Sequence, residues 1–167
     1  MTALRCNVSD LLHHPAARRH ERVEIPGCEL GGSAGARLSS APLVVEVWLE
    51  RIPHGLVVHG NVTAEYESEC SRCLKPVRAH LDTPIRELFE RDFIDGETYP
   101  LEGEEVDLEL PVRDTVLLDL PAAPLCREDC AGLCPMCGVD RNEADCECDP
   151  NPPDPRWDAL RALSLED

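Results

Sequence analysis

The sequence predicts an α+β protein: an antiparallel, mainly β core with short helices and a C-terminal cysteine-rich metal-knuckle module. Three observations carry that reading. From Leu43 onward, apolar residues recur at every second position through consecutive runs, the period that buries one face of a strand. Six cysteines fall within the 23 residues from Cys126 to Cys148. Between these regions lies a short helix-like segment bounded by Pro111, Pro121 and Pro124.

In chain order, residues 1–42 read as an irregular, poorly ordered segment. The stretch IPGCELGGSAGARLSSAP is rich in Gly, Ser and Ala and has no stable period. Arg18, Arg19 and Arg22, with His13, His14 and His20, form a basic cluster that suits a solvated face or a local phosphate contact. The core is expected over 43–125. LVVEVWLE sets Leu43, Val45, Val47 and Leu49 on one side, RIPHG makes a turn, and Leu56, Val58, Val62, Ala64 and Tyr66 alternate after it. Val77, Ala79 and Leu81 continue the pattern before a turn toward IRELF. Three closely linked strands favour an antiparallel meander, with Cys70 and Cys73 at the turn between its second and third strands. Residues 90–105 are acidic and interrupted by Gly and Pro, so they read as a flexible loop. VDLELPVRDTVLLDLP alternates like a strand at its front. Behind it, Pro111 at a first helical position followed by Val112, Val116, Leu117 and Leu120 reads as a short helix. The cysteine module spans 126–148. A stiff Pro-rich spacer and a short C-terminal helix with Trp157, Leu160 and Leu163 on one face complete 149–167.

Composition narrows the function. The 167 residues, 43 % apolar, suffice for one core plus a small module. A net charge of -17 repels phosphate backbones, so it argues against DNA and against a broad RNA footprint. A basic protein partner fits better. No long apolar run suggests a membrane span, and the start does not read as a signal peptide, so the expected compartment is the cytoplasm. Ten cysteines in a reducing compartment point to metal before disulfides.

Zinc takes four ligands in a tetrahedron, and two thiolates separated by two residues reach one ion from a tight knuckle. CPMCG, with Cys134 and Cys137, is such a knuckle, and Cys146 or Cys148 of the following CEC can complete it. The polar GVDRNEAD between them has too little apolar matter to close itself, and ligation would supply that free energy. Cys126 and Cys130 lie close by; Cys70 and Cys73 lie far upstream. Eight thiols suit two four-thiolate sites, one tying the sheet's turn to the C-terminal module. They suit equally one site with spare thiols, and spacing does not assign the pairing. Cys6 and Cys28 stand apart. A redox CxxC needs its first cysteine at a helix N-terminus, whereas Cys70 ends a strand-like run and Cys134 sits among carboxylates. A zinc-dependent thiol redox sensor, or a metal-binding adaptor, is the alternative reading. No HExxH, GxSxG, phosphate-cradling loop or deaminase pattern occurs, and no catalytic constellation stands out. Arg72, Lys75 and Arg78 beside the first knuckle form a candidate local RNA contact.

CSRCLKPV, LFE, VDLELPVRDTVLLDLP, PLCREDCAGLCPMCGVDRNEADCECD and DPRWDALRAL, in this order, resemble the YceD family of large ribosomal RNA subunit accumulation proteins. The resemblance runs from about residue 43 to Leu163. It implies a non-enzymatic factor supporting 23S rRNA accumulation and large-subunit assembly, with a ribosomal protein or large-subunit assembly intermediate as partner. The family's cysteines fall here on Cys70, Cys73, Cys126, Cys130, Cys134, Cys137, Cys146 and Cys148. They imply one or two Zn(2+) per chain.

Overall fold

The computed structural model describes residues 4–14, 16–33, 35–148 and Arg156. In chain order its elements are β1 (Arg5–Asn7), α1 (Ser9–His13), β2 (Arg18–Pro26), a 3-10 turn at Gly27–Glu29, β3 (Gly32–Ser33) and β4 (Ala36–Leu38). The long strands β5 (Pro42–Ile52), β6 (Gly55–Glu69) and β7 (Pro76–Glu90) follow, then β8 (Tyr99–Glu102), β9 (Glu105–Asp107) and α2 (Glu109–Asp119).

The expected meander forms the centre. β5 and β6 pair antiparallel from Val44↔Thr63 to Ile52↔Gly55, leaving Pro53 and His54 as a two-residue turn. β6 and β7 pair antiparallel over their full lengths, from Gly55↔Glu90 to Glu69↔Pro76. Alternation then decides what is buried. Leu43, Val45, Val47 and Leu49 on β5, Leu56, Val58, Val62 and Ala64 on β6, and Leu81, Ile85 and Phe89 on β7 share one inner face. Val8 and Leu11 from the first helical turn, and Leu108, Val112 and Val116 around α2, are buried in the same core. Full burial of each such side chain contributes about 1.5–3 kcal/mol of hydrophobic stabilisation.

The structure departs from the sequence reading in four places. Residues 1–42 were expected to be irregular, yet β2 pairs with β5 across nine residues, from Arg18↔Glu50 to Pro26↔Pro42. Its inner positions include Arg19 and Glu21, which pair with each other at 2.7 Å while Arg19 also reaches Asp10 at 2.7 Å. Charged residues at inward positions hid the strand's period. The same ion pairs, with Arg22 on Glu24 and Glu46, absorb the basic cluster into the fold. Second, the turn expected before IRELF does not occur. β7 continues through Pro84, which lies on the stretch of the strand paired on one side only, with β6, where proline is tolerated as on an edge. Third, half of the acidic 90–105 loop is structured. β8 pairs with β9, and β9 with β1. β8 also lies parallel to the end of β7 at Phe89↔Tyr99, so the sheet is mixed rather than wholly antiparallel. Fourth, Pro111 sits in the third position of α2, not the first, because the turn already begins at Glu109. The Pro-rich spacer and C-terminal helix expected over 149–167 lie, Arg156 apart, outside the described residues.

Candidate metal centre

The hairpin turn between β6 and β7 is the residue run Cys70–Lys75. Its backbone closes on itself: the Leu74 N–H donates to the Cys70 carbonyl at 2.9 Å and the Cys70 N–H to the Lys75 carbonyl at 2.8 Å. The second CxxC repeats this wiring. Gly138 N–H donates to the Cys134 carbonyl at 2.8 Å, and Cys134 N–H to the Val139 carbonyl at 2.8 Å. The fifth residue takes a left-handed backbone in both, with φ of 61° at Leu74 and 76° at Gly138. The two knuckles are therefore one local structure built twice. One copy hangs on a long hairpin and the other on a loop closed by the single antiparallel bridge between Leu133 and Asp140.

Each knuckle gathers a second cysteine pair. Cys70 and Cys73 meet Cys126 and Cys130, while Cys134 and Cys137 meet Cys146 and Cys148. Within each set of four, the sulfurs all lie within 4.8 Å of one another. Cys70 Sγ is 3.8 Å from Cys130 Sγ, and Cys73 Sγ is 3.6 Å from Cys126 Sγ. A tetrahedron with zinc–sulfur arms of about 2.3 Å has edges of about 3.8 Å, whereas a disulfide would bring sulfurs to about 2 Å. The donor sets and their spacing fit a tetrahedral thiophilic cation, and either cluster could bind a metal. The pairing that spacing left open is thus a long-range set and a local set. Among the described residues, Cys6 and Cys28 join neither.

The thiols are unequal. Burial pushes Cys70 up, but the backbone N–H groups of Cys126, Cys73 and Arg72 outweigh it and hold that thiol down at about 6. The N–H groups of Cys137 and Met136 hold Cys134 at about 6 against burial. Burial and neighbouring thiols push Cys126 up to about 12, and the Cys137 thiol and burial do the same to Cys148. Cys73 and Cys146 are also raised, because burial and neighbouring thiols outweigh the N–H groups of Lys75 and Cys148. Each cluster thus offers a ready thiolate beside protonated neighbours. A divalent cation would replace those shared protons and leave each full site with a charge of -2.

The loop 121–143 packs the second module onto the first knuckle. Ser71 N–H donates to the Pro124 carbonyl at 2.8 Å and Leu133 N–H to the Arg72 carbonyl at 2.9 Å. Gly132, at φ 73°, passes so close that an added Cβ would lie 2.9 Å from the Arg72 carbonyl oxygen. The Arg72 guanidinium donates to the Cys130 carbonyl at 2.9 Å. Lys75 Nζ sits 2.8 Å from Asp140 and 2.6 Å from Glu143. That ammonium, with N–H groups of Asn142, holds the Asp140 carboxyl down at about 2. Asn142 also directs its amide nitrogen to the Cys130 sulfur at 3.5 Å. Two of the three candidate RNA contacts, though exposed, thus also clamp the junction. Arg78 projects from β7 and pairs with Glu67 at 3.0 Å. The clamp residues Asp140, Asn142 and Glu143 were not singled out from sequence. Their one signal is Asp-x-Asn spacing, which supports a turn in which Asp140 accepts from the Asn142 N–H at 2.9 Å.

Fold and site together define a mixed β-sheet protein bearing two tetrathiol clusters, one at the β6–β7 hairpin turn and one on the loop that follows α2. The family model of the large ribosomal RNA subunit accumulation protein YceD matches residues 58–164, and the chain belongs to that family. An uncharacterized protein of Mycobacterium tuberculosis is 37 % identical over 127 residues, 72 % of this chain and 61 % of its own length. One from Mycobacterium leprae is 36 % identical over 107 residues, covering 59 % and 49 %. A chloroplastic Arabidopsis thaliana protein, named as a YCED homolog 1 of the same accumulation-protein description, is 33 % identical over 57 residues, covering 34 % and 18 %. The chain thus spans about 61 % of the length of the Mycobacterium tuberculosis relative. No solved structure matches.

Proposed function

We propose that this protein is a non-catalytic, zinc-stabilised cytoplasmic factor that supports 23S rRNA accumulation through large-subunit assembly. In this reading it binds a basic ribosomal protein, or an assembly intermediate that carries one. The observation that carries the reading is family membership across residues 58–164. Charge supports the choice of partner. The chain carries -17 before any metal binds, and each filled tetrathiolate site adds to that excess. Arg72, Lys75 and Arg78 beside the knuckle are each engaged by a carbonyl or carboxylate of the chain, which offsets part of their charge. Zinc would be held by Cys70, Cys73, Cys126 and Cys130 in one site and by Cys134, Cys137, Cys146 and Cys148 in the other. It would supply structural cross-links rather than a reaction centre. Burial of Cys70, Cys73, Cys130 and Cys134 favours that structural role over thiol sensing.

The test is a depletion strain examined by sedimentation of ribosomal particles. Large subunits should fall relative to small ones, the wild-type chain should restore them, and Cys134→Ser should not. Unchanged particle profiles in fully depleted cells would sink the proposal.

A further inference from the structure

Helix α2 has two apolar stripes. Pro111, Val112 and Val116 face the core. Beside them Leu110, Leu117 and Leu118, with Asp114 between, follow the i, i+7, i+8 spacing of a second, partly exposed stripe, in which Leu117 also touches the core. Leu118 is 87 % exposed and Leu110 55 %. Leu118 in particular buries almost nothing as a leucine. The stripe forms one wall of a groove of about 740 Å³. The other wall is the segment before β8, with Phe93, itself 47 % exposed, and Tyr99 at the start of β8. Every charged residue lining the groove is acidic: Asp95, Glu97 and Asp114. The Tyr99 hydroxyl lies 3.4 Å from Asp114, and burial, Glu87 and Asp114 together push the phenol up to about 12. The site is apolar along its floor and negative at its rim.

We propose that this groove is the docking surface for a basic protein segment whose apolar side chains, at helical spacing, pack against Leu110, Leu117, Leu118 and Phe93. The inference rests on the functional reading above and says where its basic partner binds. Charge complementarity selects the occupant. A nucleic acid would bring phosphates to three carboxylates. A second copy of the chain would bring the same acidic rim and a net charge of -17. Residues 157–167 carry Asp158, Glu166 and Asp167 against Arg161 alone, so this chain's own end has the wrong sign.

The test uses the full zinc-loaded chain and synthetic helical peptides of about five turns with Leu on one face. One peptide carries Lys on the opposite face, a second carries Glu there, and a third keeps Lys but replaces Leu by Ala. The Lys–Leu peptide should bind and shift backbone NMR signals of residues 93–99 and 110–118, while the Glu–Leu peptide should not bind. Leu118→Glu, at a solvated position, and the Ala peptide should each weaken binding by about tenfold or more. The neutralising pair Asp95→Asn and Glu97→Gln should reduce its salt dependence. Equal binding of the Glu–Leu peptide, or no effect of Leu118→Glu, overturns the proposal. So does self-association that Leu118→Glu abolishes, or binding seen only after residues 157–167 are removed. Peptide binding with normal subunits in depleted cells removes the ribosomal reading alone. Failed peptide binding with lost subunits removes the groove alone.

Discussion

The fifth position of each knuckle shows how one backbone requirement meets two side chains. The left-handed conformation costs about 1–2 kcal/mol for a residue with a Cβ, and Leu74 bears that cost where Gly138 does not. Leu74→Gly should therefore leave stability unchanged or raise it slightly, whereas Gly138→Ala should lower it by about 1 kcal/mol. Gly132→Ala should be worse than either, because strain is joined by contact with the Arg72 carbonyl. Urea unfolding of the metal-loaded proteins would rank the three. The thiols make a second prediction at this scale. Cys73 and Cys126 in one cluster, and Cys146 and Cys148 in the other, have raised pKa values, so all four carry protons at neutral pH. Metal binding must remove them, so acid opposes it. Zinc affinity should fall by about a hundredfold or more per pH unit per cluster between pH 7.5 and 6.5, at least two protons being released in each. Competition against a chelator at the two pH values measures it, and a pH-independent affinity would contradict the assignment.

At the scale of elements, the two clusters differ in what they connect. The first joins the β6–β7 hairpin to residues 126–130 across a long stretch of chain; the second closes only 134–148. Cys134→Ser should leave one zinc per chain, with the first site and the docked 121–133 loop intact. Cys70→Ser should also leave one zinc, but release the module from the sheet. Hydrogen exchange at Ser71 and Leu133 should then quicken, since their N–H groups bond across that junction to Pro124 and Arg72. Equal exchange in the two variants would show that the clamp of Lys75 on Asp140 and Glu143 suffices without the first metal. This difference also marks how far sequence could reach. The strands of residues 43–82 were legible because their apolar residues alternate cleanly, and the eight thiols because CxxC spacing is rare by chance. β2 was not, because Arg19 and Glu21 occupy inward positions and neutralise each other there. Nor was the pairing of the clusters, which depends on β6 and β7 running 15 residues each to set the knuckle beside Cys126. The partners of Arg72, Lys75 and Arg78, namely the Cys130 carbonyl, Asp140 with Glu143, and Glu67, were not legible either, because sequence shows charges without what they pair with.

At the scale of the whole molecule, charge is spread unevenly in its effects. Several positive residues are paired with carboxylates: Arg5 with Asp107, Arg19 with Asp10 and Glu21, Arg22 with Glu24 and Glu46, Lys75 with Asp140 and Glu143. The net charge of -17 still leaves carboxylates in excess, and filled tetrathiolate sites would deepen the field. A basic partner should be drawn in at long range and then held at short range by apolar contact. These two parts separate with salt, because the Debye length falls from about 10 Å at 0.1 M to about 3 Å at 1 M. Raising salt from 0.05 to 0.5 M should slow association with a basic partner by about tenfold or more while changing dissociation little. Leu118→Glu should do the reverse, speeding dissociation with association nearly unchanged. Surface plasmon resonance with the immobilised zinc-loaded chain and the Lys–Leu peptide would resolve both rates. Salt acting mainly on dissociation would mean that carboxylates hold the bound state directly, and the division between steering field and apolar grip would fail.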